Sequence, residues 1–133
     1  MDLIGPGRAA ALWTALHLIL LLVLSLLVVR QRQRHKVLLG HGDVPELAQA
    51  ARAFGNATEY VPAGLAALAV MAVVGTPPLA IHIAGFILFA GRVTHAVGLT
   101  QSGGASIPRA IGTLATWIAY IFAAAALLFY AIA

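Results

Sequence analysis

From Ala9 to Val29 the chain runs for about twenty residues with His17 as its one polar interruption of note. A helix rises about 1.5 Å per residue, so some 20 residues of this kind cross a hydrocarbon core of ~30 Å. Backbone polar groups find no water there, and a single span can bond them internally only as a helix. Composition extends the reading to the whole chain. Of 133 residues, 62% are hydrophobic and 9% charged, with a mean hydropathy of +0.97; soluble domains run near 45–50% apolar and about 25% charged. The length suits one domain, residues 1–133, of about four spanning helices. The chain therefore reads as an all-α integral membrane protein, a four-transmembrane-helix bundle. Its first apolar run exceeds the roughly 7–15 residues of a secretory signal core and is followed by basic residues, which identifies a retained helix. Cysteine is absent, excluding disulfides, thiolate metal sites and cysteine nucleophiles. No His, Asp and Glu set has metal-ligand spacing, so no metal is expected.

Turn signals divide the chain into helices over about 8–30, 44–74, 78–99 and 107–132. The first ends in Arg30-Gln31-Arg32-Gln33-Arg34-His35-Lys36, the densest basic run. Gly40-His41-Gly42-Asp43 then turns the chain, with Asp43 as the expected N-cap and Pro45 in the first turn of the second helix. That helix is too long for the hydrocarbon, so its first half, Glu46 to Asn56, is expected to project beyond it. Pro62 predicts a kink. Gly75-Thr76-Pro77-Pro78 makes a tight uncharged turn, and Thr100 to Ser106 a small flexible loop. Basic residues gather on two connections: Arg30, Arg32, Arg34 and Lys36 on one, Arg92 and Arg109 flanking the other. The positive-inside rule puts both in the cytoplasm and the termini outside.

The chemistry concentrates in Arg52-Ala53-Phe54-Gly55-Asn56-Ala57-Thr58-Glu59-Tyr60-Val61-Pro62. Arg52, Asn56, Glu59 and Tyr60 stand at helical spacing and share one side of the second helix. A carboxylate at membrane depth costs about 2.5–3.5 kcal/mol on the insertion scale, so Glu59 must be paired, enclosed in protein or holding a ligand. Arg52, a helix-one arginine (Arg30 or Arg32), Arg92 and Arg109 offer fixed positive charge for carboxylates. Asn56 supplies both a donor and an acceptor, and Glu59 suits an ammonium group. These groups describe a cytoplasm-facing pocket for a small zwitterion with several carboxylates. Glutathione fits that description.

Arg-x-x-x-Asn-x-x-Glu-Tyr-x-Pro at the entry to the second of four membrane helices resembles the signature of the MAPEG family (membrane-associated proteins in eicosanoid and glutathione metabolism). Arg52, Asn56, Glu59 and Tyr60 each match a motif position. The resemblance implies a homotrimer of four-helix bundles with glutathione, as co-substrate, bound between subunits at the cytoplasmic side. It implies glutathione contacts from Arg30, Arg52, Asn56, Glu59, Tyr60, Arg92 and His95, and a thiolate-stabilising role for Arg109. The implied activity is that of a glutathione transferase or peroxidase acting on lipophilic electrophiles or hydroperoxides that arrive from the bilayer. One departure is plain. Glutathione-using members carry tyrosines in the second half of helix three, where this chain has Arg92-Val93-Thr94-His95-Ala96-Val97-Gly98; the pattern is nearer the bacterial branch. The alternatives are a non-enzymatic scaffold or lipid-binding protein and, more distantly, a small proton-coupled exporter using Glu59. His17 and His82 read as inter-helix hydrogen-bonding residues, and Trp13, Trp117 and Tyr130 as interfacial or packing aromatics.

Overall fold

In the computed structural model, which describes residues 5–132, the expected four helices are present. They are α1 (Pro6–His35), α2 (Pro45–Val73), α3 (Pro78–Gln101) and α4 (Ile107–Ile132), each long and apolar enough to cross a membrane. A proline stands in the first turn of α1, α2 and α3, where its missing N–H would have had no helical partner.

Two local expectations change. The basic run after Arg30 is helical, because α1 continues to His35 and closes through Lys36 in the left-handed conformation. Asp43 caps nothing: it takes a positive φ of 57° in the turn, and Val44 is the N-cap, without a side-chain bond. Pro62 lies inside α2, which continues through it to Val73. Its ring sits on an exposed face, where the carbonyl it leaves unbonded is not enclosed within the bundle.

The helices α2 and α3 each touch all three others, whereas α1 and α4 flank them and do not meet. Two apolar clusters fill the interior. One joins Ala9 and Trp13 of α1 to Leu68 and Met71 of α2, Ile81 and Ala84 of α3 and Ala123 of α4. The other joins Leu24, Ala53, Ala57, Val61, Ala96 and Leu99 toward the opposite end. Along α1 and α3, the buried polar residues His17 and Arg92 fall between them. The Trp13 indole N–H donates to His82 Nδ1 at 3.1 Å, tying α1 to α3 as expected of His82. His17 does otherwise: its Nδ1–H donates to the Trp13 carbonyl of its own helix at 2.6 Å. A carbonyl only accepts, so that nitrogen carries the proton.

Glycines set the distance between α3 and α4. A methyl group at Gly112 would lie 2.5 Å from the Gly91 carbonyl oxygen and 2.6 Å from the His95 backbone nitrogen. Backbone cannot move aside as a side chain can, and small residues are what allow membrane helices this approach. Gly112→Ala is expected to push the helices apart and to cost about 1–3 kcal/mol, read as a lower unfolding midpoint in detergent. A wild-type midpoint would show that the close crossing is not needed.

Candidate functional site

Each α2 residue advances about 100° around the helix axis. Glu59 therefore falls about 20° from Arg52, while Asn56 and Tyr60 lie about 40° and 80° away on the other side. The structure divides the four along that arc.

Arg52 and Glu59 point outward. Their side chains are 58% and 52% exposed, and Arg52 Nη1 donates to Glu59 Oε1 at 2.9 Å. Asn56 points inward. It is buried, and its Oδ1 accepts a 2.7 Å bond from Nη1 of Arg92 on α3. Arg92 is only 2% exposed. It reaches α4 by donating from Nη2 to the Gly112 carbonyl at 3.2 Å, and its guanidinium carbon lies 4.9 Å from the centre of the Tyr60 ring. The Tyr120 hydroxyl donates to the Tyr60 carbonyl, adding a second tie between α2 and α4. Arg92, Asn56 and Tyr60 thus form an internal knot joining three helices. The expectation that all four motif residues present one ligand-binding face is corrected, because the arc is wide enough for one edge to turn into the bundle.

The depth of the exposed pair matters. Gln31 of α1, Gln49 of α2 and Thr100 of α3 line one surface recess, which sets them at one level. Gln31 belongs to the basic run that marks the membrane boundary. Glu59 is ten residues further along α2 than Gln49, about 15 Å by helical rise. On a membrane-spanning helix a half-exposed ion pair is costly wherever it faces lipid.

The other predicted residues also separate. Arg30 is exposed on α1. Its neighbour Arg32 is used locally, donating to the Leu38 and Gly40 carbonyls at 3.3 and 3.0 Å and so bracing the first connection. His95 and Arg109 come together in an open cleft of about 390 Å³ between α3 and α4. Ser106 and Thr113 share its polar end, and Leu114 and Trp117 form its apolar end. Arg109 donates to the Gly104 carbonyl, which holds its guanidinium at the mouth. His95 is 7% exposed and, among the described residues, makes no side-chain hydrogen bond.

Sequence reasoning missed Ser106 and Trp117 as parts of this cleft. The signal was helical register: Arg109, Thr113 and Trp117 fall along one stripe of α4, and Ser106 immediately precedes that helix on the same side.

These features define a class: a four-helix membrane bundle with a buried arginine at its centre and two charged surfaces at one end. The sequence matches the model of the MAPEG family over residues 10–129. The chain belongs to the MAPEG family. It is 36% identical over 121 residues to the inner membrane protein YecN of Escherichia coli K12, with 91% of each chain covered. The protein of the same name from Escherichia coli O6:H1 gives the same figures.

Proposed function

We propose that this protein binds glutathione at a subunit interface and is a glutathione transferase or peroxidase for lipophilic electrophiles or hydroperoxides. The observation that carries the reading is the Arg52–Glu59 pair, half-exposed on a helix long and apolar enough to cross a membrane. Such a surface needs a polar cover, and a second copy of the chain together with a zwitterionic ligand provides one. In this arrangement Arg52 meets a glutathione carboxylate and Glu59 its ammonium group, each charge complementary to the one it faces. Asn56 and Arg92 serve by holding α2, α3 and α4 in place, through the bond between them and the Arg92 bond to the Gly112 carbonyl. Arg109 stabilises the thiolate, and the electrophile approaches along the apolar end of the cleft, which opens toward lipid.

The assembly we propose is a homotrimer in the inner membrane, with termini outside and the site facing the cytoplasm. Family membership, the relatives named inner membrane protein and the basic α1 terminus support this. A non-catalytic scaffold is the competing reading, favoured by a motif whose asparagine is already bonded and by the lack of tyrosine along the second half of α3. The exporter is less well supported: Glu59 is held by Arg52, whereas that mechanism needs a lone mid-span carboxylate.

The test is titration of the purified protein with glutathione, following binding heat and thiolate absorbance, then assay with an aryl halide and a lipid hydroperoxide. Arg109→Ala is expected to lower turnover about 100-fold, the usual effect of removing one stabilising donor from a developing anion. Absence of glutathione binding by the wild-type protein would overturn the reading and leave the scaffold.

A further inference from the structure

The connection that leaves α1 turns two leucines away from the bundle. Leu38 and Leu39 are 91% and 89% exposed, more than any other large apolar side chain among the described residues. Their backbone is nevertheless fixed. Lys36 and Gly40 take positive φ values of 56° and 65°, and Arg32 Nη1 donates to the Leu38 and Gly40 carbonyls at 3.3 and 3.0 Å. Beside the leucines lies an open recess of about 460 Å³, lined by Arg32, Gln33, Lys36, Val37 and Leu38. Sharing it sets Leu38 level with the last turn of α1, whose basic run marks the membrane boundary. The two parts of the recess differ in chemistry. Lys36 offers an ammonium group and Gln33 an amide. Arg32 uses only Nη1 on the loop carbonyls, and its Nη2 and Nε make no other bond among the described residues. Val37 and Leu38 supply an apolar wall. Among the described residues no carboxylate lines this recess, and Asp43 belongs to a different one further along the connection. A cationic donor set joined to an apolar wall, at the level where headgroups meet acyl chains, is the complement of an anionic amphiphile.

We propose that this recess binds an anionic phospholipid of the leaflet next to the basic connections, and that Leu38 and Leu39 insert where its headgroup meets its acyl chains. The lipid phosphate accepts hydrogen bonds from the Lys36 ammonium, the Gln33 amide and the free N–H groups of Arg32. An arginine fork matches phosphate geometry, and a lysine adds a point charge beside it. Arg32 has a second effect, because the carbonyls it bonds no longer turn their negative ends toward the anion. The leucines then leave water for hydrocarbon, a gain that an inorganic phosphate bound in the same place does not bring. A leaflet of negative surface potential attracts basic segments beside a membrane span, so charge and apolar surface act in the same direction. The site is separate from the Arg52–Glu59 surface and does not depend on the glutathione reading.

Native mass spectrometry of the full chain in neutral detergent measures the affinities for phosphatidylglycerol and phosphatidylcholine. The wild-type protein is expected to prefer phosphatidylglycerol by at least about tenfold, and Lys36→Gln to lower that preference about fivefold. Arg34→Gln removes a cation of the same run that does not line the recess, and should change it by less than about twofold. Equal losses from the two variants, or no preference in the wild type, would mean diffuse attraction and overturn the site. Leu38→Ser/Leu39→Ser should weaken phosphatidylglycerol binding about tenfold with an unchanged unfolding midpoint, since both side chains lie outside the core. Unchanged binding by this variant, or inorganic phosphate that competes as well as the lipid, would make the recess a soluble-anion site and reject the lipid. A second measurement uses the absence of cysteine from the chain. Leu39→Cys carries a single polarity-sensitive fluorophore, whose emission in mixed phosphatidylcholine–phosphatidylglycerol vesicles should shift to the blue and resist quenching by iodide. Water-like emission with full iodide access would place the leucines in solvent, overturn their insertion and leave them to a soluble partner or a second copy of the chain.

Discussion

Replacing Arg92 with methionine is expected to destabilise the bundle by about 2–4 kcal/mol, seen as a lower unfolding midpoint in detergent. The side chain is 2% exposed and bonds Asn56 Oδ1 at 2.7 Å and the Gly112 carbonyl at 3.2 Å. Gly112 keeps a second partner when Arg92 is gone, because the Thr116 hydroxyl donates to the same carbonyl at 2.8 Å. Asn56 has no such substitute, and its carbonyl is left buried and unbonded. The loss thus consists mainly of stranding Asn56, with the contact over the Tyr60 ring as a smaller part. That division has a consequence. Adding Asn56→Leu to Arg92→Met removes the stranded group, and the double variant should be more stable than Arg92→Met alone. Lysine at 92 should not rescue, since a single ammonium group lacks the planar fork that reaches α2 and α4 together. A double variant weaker than the sum of its singles would show that Asn56 has another partner.

The same knot separates what is legible in the sequence from what only packing decides. Four helices, their approximate limits and the prolines that open three of them followed from hydropathy and turn chemistry, which are local properties. The motif residues were also legible as unusual, because a carboxylate in an apolar segment needs an explanation wherever it points. Their separate destinations were not legible. Asn56 and Glu59 differ by less than one helical turn, and which of them enters the bundle depends on where α3 lies. That is settled by partners distant in sequence: Arg92 is 36 residues from Asn56, and α3 meets α4 through glycines whose only signal is the absence of a side chain. His95 and Arg109 were legible as charged or titratable residues near a membrane face. The cleft they share with Ser106 was not, because it exists only where the start of α4 folds back beside the end of α3. Asp43 failed as a cap for a different reason. The turn places it in a left-handed conformation, one residue too early to face the free N–H groups of α2.

Exchanging the two exposed charges, Arg52→Glu with Glu59→Arg, is expected to give a folded protein that no longer binds glutathione. Arg52 and Glu59 meet at 2.9 Å with 58% and 52% of their side chains exposed, and the exchanged pair can form the same contact with its ends reversed. If the pair serves only to neutralise itself within the membrane or to join subunits, the exchange should be nearly silent. If it faces a zwitterion, the exchange sets carboxylate against carboxylate and guanidinium against ammonium, and like charges at close range cost several kcal/mol. Arg52→Ala supplies the intermediate measurement. It removes one charge-assisted contact and strands Glu59, and glutathione affinity should fall about 100-fold, equivalent to roughly 2.7 kcal/mol. Stability and binding should therefore part company across the series: Arg52→Ala loses some of both, while the exchange keeps stability and loses binding. Calorimetry with glutathione and an unfolding midpoint on the same samples decide between the roles. Full binding by the exchanged protein would make the pair a structural feature of the membrane span and remove it from the ligand site.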